Sequence, residues 1–115
     1  MTPEESLAQH RAFIAEEGET IKIRRYSGSG AARTPADTET TARVLNLGPA
    51  ATSGTVVQYR YKIIALVDTL ASVLPVTIAD RVVLDDGKEL AILDPGDRKR
   101  RLAGVLIALE MECEG

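Results

Sequence analysis

The chain has 115 residues, of which 44% are hydrophobic and 3% aromatic, and its formal net charge is −3. This length supports one hydrophobic core and is too short for two ordinary domains. The acidic balance gives no overall field that attracts nucleic acid, and the single cysteine excludes an intramolecular disulfide, which fits a reducing cytoplasmic setting.

The first predicted element is a helix over Thr2–Glu17. It opens with a Thr-x-x-Glu capping box, Pro3 suits its first position, and Gly18 can end it. Leu7 and Ile14 lie seven residues apart, which gives one narrow apolar stripe. The sequence leaves open whether this stripe packs on the same chain or on a neighbouring subunit.

Three strands are predicted next, over Thr20–Tyr26, Glu39–Leu47 and Thr55–Val67. Their signal is the period-two alternation that places every second side chain on one face of a sheet. Residues 27–35 and Gly48–Gly54 connect them and are rich in small residues, which is typical of loops. In the third strand Val57, Tyr59, Tyr61, Ile63, Ala65 and Val67 are predicted to face the core, opposite Gln58, Arg60 and Lys62.

A short helical connector over Asp68–Leu74, capped by Asp68 and ended by Pro75, is predicted to lead into three C-terminal strands. Tight turns at Asp85-Asp86-Gly87 and Asp94–Asp97 join those strands. The last strand has a dry face of Val105, Ile107, Leu109, Met111 and Cys113, and an opposite face of Ala108, Glu110, Glu112 and Glu114.

These elements predict a mainly β protein, a small antiparallel β-barrel or sandwich of about six strands with an N-terminal helix and a short helical connector. Residues 1–18 form the helix and residues 19–115 a single β domain. The chain does not begin with a basic segment followed by an apolar stretch, and no apolar run reaches membrane-spanning length. We therefore expect a soluble, unexported protein with no membrane partner.

No catalytic constellation is evident. His10 is the only histidine and lacks the partners that a triad or proton relay needs, so we expect a surface or interface helix residue. Cys113 lies between Glu112 and Glu114, which disfavour a thiolate, so a buried structural thiol is expected. The sequence predicts neither an enzyme nor a cofactor.

The charged residues of the turns have ordinary explanations. Asp85, Asp86, Asp94 and Asp97 suit turns, where their side chains bond nearby backbone, and their spacing does not match a calcium loop. The basic run of Arg98, Lys99, Arg100 and Arg101 is either a solvated turn or a contact with DNA phosphates or an acidic subunit surface.

The order of these elements resembles the head-closure, or head-tail stopper, proteins of long-tailed bacteriophages and related prophages. The similarity covers residues 20–114, and it is carried by the basic first strand with its Gly-rich loop (IKIRRYSG), the second strand (TARV), the hairpin DRVVLDDGKEL and the charged turn into LIALEMECE. Its specificity comes from order and spacing, since none of these segments is a catalytic motif.

The resemblance implies a structural role in the virion neck, in a protein assembled in the host cytoplasm. Family members form a homo-oligomeric ring below the portal and its adaptor, close the DNA-filled head and present a docking surface to tail-terminator or tail proteins. Their loop between the second and third strands projects toward the channel; the matching residues here are Gly48, Pro49, Ala50, Ala51, Thr52, Ser53 and Gly54. Arg24, Arg25 and the basic run would then meet acidic neighbours or packaged DNA, and Glu110, Glu112 and Glu114 would form an outward acidic stripe for subunit contact.

Two alternatives remain at the level of sequence. A tail-terminator or other neck component would also form a ring, although with a more mixed α/β fold. A small barrel that binds single-stranded nucleic acid belongs to a different class, and exposure of Tyr59 and Tyr61 beside Arg60 and Lys62 would favour it.

Overall fold

A computed structural model describes residues 1–50 and 57–115 of the chain. The elements within these residues are α1 (Pro3–Glu17), β1 (Glu19–Ser27), a 3₁₀ helix (Gly30–Ala32), β2 (Thr34–Pro49), β3 (Tyr59–Leu66), a second 3₁₀ helix (Asp68–Leu70), β4 (Arg81–Val83), β5 (Glu89–Asp94), β6 (Arg100–Leu102) and β7 (Val105–Glu114). Across the described ranges, no helix has both the length and the hydropathy that crossing a bilayer requires.

Six of the strands form a closed antiparallel barrel, as the sequence predicts. They follow one another in the order β3, β2, β1, β4, β5 and β7, and pairing between β3 and β7 closes the circle. β6 pairs with β7 outside this circle. Every barrel strand therefore has a neighbour on each side, which removes the exposed edges that a flat sheet would present.

Alternating apolar side chains of all six barrel strands fill the interior. The largest fully buried ones include Ile21, Ile23, Ile63, Val82, Leu90, Leu109 and Met111. Leu70, Val73 and Val76, from the connection between β3 and β4, complete this core. Because the chain has no tryptophan and one phenylalanine, the core is built mainly from aliphatic side chains, with Tyr61 as its aromatic member among the described residues.

The helix α1 packs on the outside of the barrel. The predicted capping box is present between Thr2 and Glu5, and Gly18 ends the helix. Ile14 on its inner face is 3% exposed and forms a second cluster with Ile64, Leu66 and Ala108 of β3 and β7. The prediction of a single dry face was therefore wrong for these two strands, since burial beneath α1 makes part of their outer face apolar.

β2 is longer than predicted and begins at Thr34 instead of Glu39. β1 pairs with β2 over its whole length, from Glu19 to Ser27. On their other sides, β1 pairs with β4 only at residues 22–24, and β2 pairs with β3 only from Ala42 onward. Residues 25–36 therefore extend from the barrel as a two-stranded ribbon, which we call the β1–β2 arm.

The C-terminal region contains four strands, so the prediction of three was wrong. The Asp94–Asp97 turn leads into β6, and Ala103 and Gly104, both with positive φ, reverse the chain into β7. β6 has only three residues and no apolar alternation, which left the sequence without a strand signal. Val105, at the start of β7, is exposed and does not belong to the core.

The connector and the start of the third strand also differ from prediction. The connector contains only one short 3₁₀ helix, and Asp68 does not cap it; its carboxylate pairs with Arg11 of α1 instead. β3 begins at Tyr59, and Val57 is exposed. The first two residues of the predicted strand, 55 and 56, lie outside the described residues.

Candidate functional site

The acidic face of β7 is covered by the basic run. Lys99 Nζ lies 3.0 Å from Glu112 Oε1 and 3.5 Å from Asp94 Oδ2, and Arg100 Nη2 lies 2.9 Å from Glu110 Oε1. The hydrogen bond to Glu112 is the main reason that the pKa of Lys99 is raised, and it outweighs the lowering effect of burial. The predicted acidic stripe does point outward, but Glu110 and Glu112 are half-buried in contacts within the chain.

Glu114, the third acidic residue of that face, lies 3.6 Å from Arg60 of β3. Within the basic run, Arg101 Nε donates to the Asp97 carbonyl oxygen at 2.8 Å, while Arg98 is exposed. Arg98 and Arg101 thus remain the part of the run that is open to a partner, whereas Lys99 and Arg100 hold β6 against β7.

His10 connects the helix to the barrel. Its Nδ1 lies 2.8 Å from the carbonyl oxygen of Ser6 and its Nε2 lies 3.1 Å from Arg100 Nη1. Because a carbonyl only accepts and a guanidinium only donates, Nδ1 carries the proton and Nε2 accepts. The helix-surface interpretation is refined: His10 is half-buried and belongs to a chain of contacts from α1 through Arg100 to Glu110.

The two arginines of β1 are paired within the chain. Arg24 donates to both carboxylate oxygens of Asp37, at 2.8 and 3.0 Å, and this contact lowers the pKa of Asp37. Arg25 donates to both oxygens of Asp80, at 2.9 Å each, and also to the carbonyl oxygen of Val73 at 2.8 Å.

Asp80 has a role that sequence reasoning missed. Its side chain is 3% exposed and also accepts a hydrogen bond from the Thr77 amide at 2.9 Å. Burial alone would raise the pKa of Asp80, but the bonds from Arg25 and Thr77 outweigh it and lower that pKa. The only signal in the sequence is an aspartate that follows Ile78 and Ala79 just before a buried strand, which is weak evidence without a partner.

The β1–β2 arm is stiffened by its own side chains. The guanidinium of Arg33 lies 3.8 Å from the ring centre of Tyr26, a cation–π distance. The Tyr26 hydroxyl donates to Glu89 Oε1 at 2.8 Å, and Ser27 and Thr34 are hydrogen-bonded across the arm. The arm is thus an exposed but ordered projection, held to β5 at its base.

The candidate channel loop leaves the barrel at the other end of β2. Gly48 and Pro49 are the last residues of β2, and Gly48 has a φ of 94° beside a bulge in the β2–β3 pairing. The Ala50 amide donates to the Gln58 carbonyl oxygen at 2.7 Å and closes the base of the loop. Ala51, Thr52, Ser53 and Gly54 lie outside the described residues.

Tyr59 and Tyr61 share a face of β3 but differ in exposure. Tyr61 is 8% exposed and Tyr59 is 38% exposed, and the ammonium of Lys88 lies 5.6 Å from each ring centre. A base could therefore not stack on both rings, because Tyr61 belongs to the core and Lys88 already occupies the space next to both.

The contacts of Cys113 and of the turn residues Asp86 and Asp94 are those of structural residues. Cys113 is fully buried, and burial, with a smaller effect from Glu112, raises the pKa of its thiol to about 12. Asp86 accepts from the Lys88 amide at 3.0 Å, and Asp94 accepts from the Gly96 amide at 2.8 Å. In residues 1–50 and 57–115, no group of three or more metal-ligating side chains comes together.

No family model, curated protein or solved structure matches this chain. The described surface offers an ordered arm, a basic turn, a loop base and the contacts around α1.

Proposed function

We propose that this chain is a structural component of the neck of a long-tailed phage, a head-closure protein that forms a ring below the portal and adaptor and provides the surface to which the tail attaches. The sequence resemblance over residues 20–114 is the origin of this proposal. The closed barrel is compatible with the fold that the resemblance implies, and the N-terminal helix is an addition to the family's minimal pattern.

One observation carries the proposal: the β1–β2 arm and the candidate channel loop lie at opposite ends of one strand. β2 has 16 residues, and at roughly 3.3 Å per residue its contour is about 53 Å. The longest dimension of the molecule is 46 Å. A subunit of a neck ring needs to contact one layer above it and another below it, and projections at the two ends of a rigid barrel meet that need.

The packing of the barrel interior favours a structural protein over an enzyme. The described polar side chains that are most buried are engaged in structural contacts: Asp80 with Arg25, and Thr40 with Thr69 at 2.6 Å between hydroxyl oxygens. The one thiol is buried with a raised pKa, which removes it as a nucleophile at neutral pH.

The alternatives receive less support. A tail-terminator of mixed α/β fold fits a closed six-stranded barrel less well than a stopper does. A nucleic-acid-binding barrel needs exposed aromatic rings for stacking, and Tyr61 is in the core. Arg98 and Arg101 remain candidates for contact with packaged DNA in the ring.

Disruption of the gene in its phage or prophage tests the proposal. We expect DNA-filled heads without attached tails, heads that lose DNA over time, and recovery of whole particles when the chain is supplied from a plasmid. A gene position between the portal or capsid genes and the tail genes is expected as well. Normal tailed particles without the protein would refute the proposal.

A further inference from the structure

A groove of about 420 Å³ lies between α1 and the barrel wall. Its apolar side chains are Phe13, Leu45 and Ile64, and its polar ones include His10, Lys62 and Arg100. Phe13 is 42% exposed although it is the only phenylalanine of the chain. The groove therefore combines apolar walls with cationic groups on an accessible surface.

The charge of this groove is positive. None of the described residues that line it is acidic. Arg100 is neutralised by Glu110, but Lys62 takes part in none of the ion pairs formed by the described residues. A half-buried ammonium beside apolar side chains favours a carboxylate as its partner.

The matching acidic group on the described surface is the turn between β4 and β5. Asp85 and Asp86 are exposed at its tip, and together with Glu19 they line a depression of about 440 Å³. The turn is rigid because the Leu84 amide donates to the Lys88 carbonyl oxygen at 2.8 Å and the Gly87 amide to the Leu84 carbonyl oxygen at 2.9 Å. A rigid acidic tip loses little conformational entropy on docking.

The groove and the turn are separate surfaces of the barrel. β3, which carries Lys62, is separated from β4 by two strands in either direction around the circle. Both features lie toward the same end of the barrel, because Asp85 and Asp86 line their depression together with Asn46 and Tyr61, the chain neighbours of Leu45 and Lys62. Two different, complementary surfaces on one chain produce head-to-tail contacts, and such contacts form a ring when the rotation closes.

We propose that the Asp85–Asp86 turn of one copy docks into the Lys62 groove of the next copy and so forms the contact between neighbours in the ring. This inference rests on the proposed function, and it names the surfaces through which the ring assembles. Asp85 and Asp86 meet Lys62 as charge-assisted partners, and Phe13 is covered by the neighbouring subunit.

Charge reversal tests the contact. We compare two variants, the single substitution Lys62→Glu and the double substitution Asp85→Lys/Asp86→Lys. Each variant is expected to weaken self-association at least about tenfold, because like charges then face each other. In an equimolar mixture of the two variants, unlike copies associate again, because each contact between them pairs opposite charges. Asp97→Lys after β5 is an exposed charge-reversal control and is expected to assemble as the wild type does.

The readout is the mass distribution of purified chains, alone and with portal–adaptor complexes, after circular dichroism has verified that each variant is folded. Rings that form equally well from all variants, or a mixture that does not recover, would overturn the contact and leave the proposed function intact. A wild-type chain that stays monomeric in both settings would overturn the proposed function together with the contact.

Discussion

Arg25 Nε and Nη2 donate to the two carboxylate oxygens of Asp80 at a distance of 2.9 Å each, and they thereby join β1 to the segment that enters β4. Asp80 is almost fully buried, whereas the Arg25 side chain remains 41% exposed. The same guanidinium reaches the carbonyl oxygens of Val73 and Pro75, at 2.8 and 3.0 Å. One arginine at the edge of the barrel thus holds a connection that has little regular structure of its own.

Asp80→Asn is expected to lower the free energy of unfolding by about 2 kcal/mol, because the Arg25 guanidinium and the Thr77 amide lose a buried, charged acceptor. The measurement is urea denaturation followed by circular dichroism. Asp37→Asn is the matched control, since it changes the more exposed Arg24–Asp37 pair beside it and is expected to cost less than about 1 kcal/mol. Equal losses in the two variants would contradict the structural role of Asp80.

The stability that Asp80 provides is expected to depend on pH. The pKa of Asp80 is lowered in the folded state, and the unfolded value is about 3.9. Below the unfolded pKa the unfolded chain binds more protons, so this contribution is present in full above about pH 4 and is lost as the pH falls through the folded pKa. The difference in stability between wild type and Asp80→Asn should therefore shrink between pH 4 and pH 2, and a difference that stays constant would contradict the assignment.

Ile14→Ala is expected to cost about 2–4 kcal/mol, because it leaves a cavity between α1 and the barrel. Phe13→Ala, one residue away, is the control: Phe13 is 42% exposed, and the expected loss is below about 1 kcal/mol. Thermal and urea unfolding of both variants measure the difference. If the loss at Ile14 is no larger than that at Phe13, the helix is not docked as described.

Gly96→Ala is expected to destabilise the fold by more than about 2 kcal/mol. Gly96 has a φ of 70°, and an added Cβ would overlap the carbonyl oxygen of Glu110 in β7. Gly87→Ala is the matched control, with a φ of 91° and open space around the new methyl group, so that only the backbone cost of about 1 kcal/mol remains. Similar unfolding energies for the two variants would contradict the close approach of the Asp94–Asp97 turn to β7.

The sequence predicted the barrel because its main signals are local. The alternation of Ile21 and Ile23, the Asp-Asp-Gly turn and the capping box at Thr2 depend on neighbours a few residues away, and each is present in the structure. Features that depend on distant neighbours were missed. Burial of Asp80 requires Arg25, 55 residues away, and neither residue type reveals the pairing.

The acidic stripe of β7 and the basic run also show that contacts between distant residues were missed in the sequence. Glu110 and Glu112 alternate with core residues, which correctly predicts that they point outward. The two outward-facing carboxylates are nevertheless paired, because Lys99, just before β6, and Arg100, in β6, lie against that face of β7. The sequence gives β6 no signal, since its three residues lack apolar alternation and it is stabilised mainly by its pairing with β7.

The most direct test of the neck role is reconstitution. Purified chain is mixed with portal–adaptor complexes of the phage or prophage that carries its gene, and the particles are imaged by electron microscopy. We predict an additional ring of this protein on the adaptor, absent when the chain is omitted. A chain that remains unbound and monomeric beside intact portal–adaptor complexes would contradict the account.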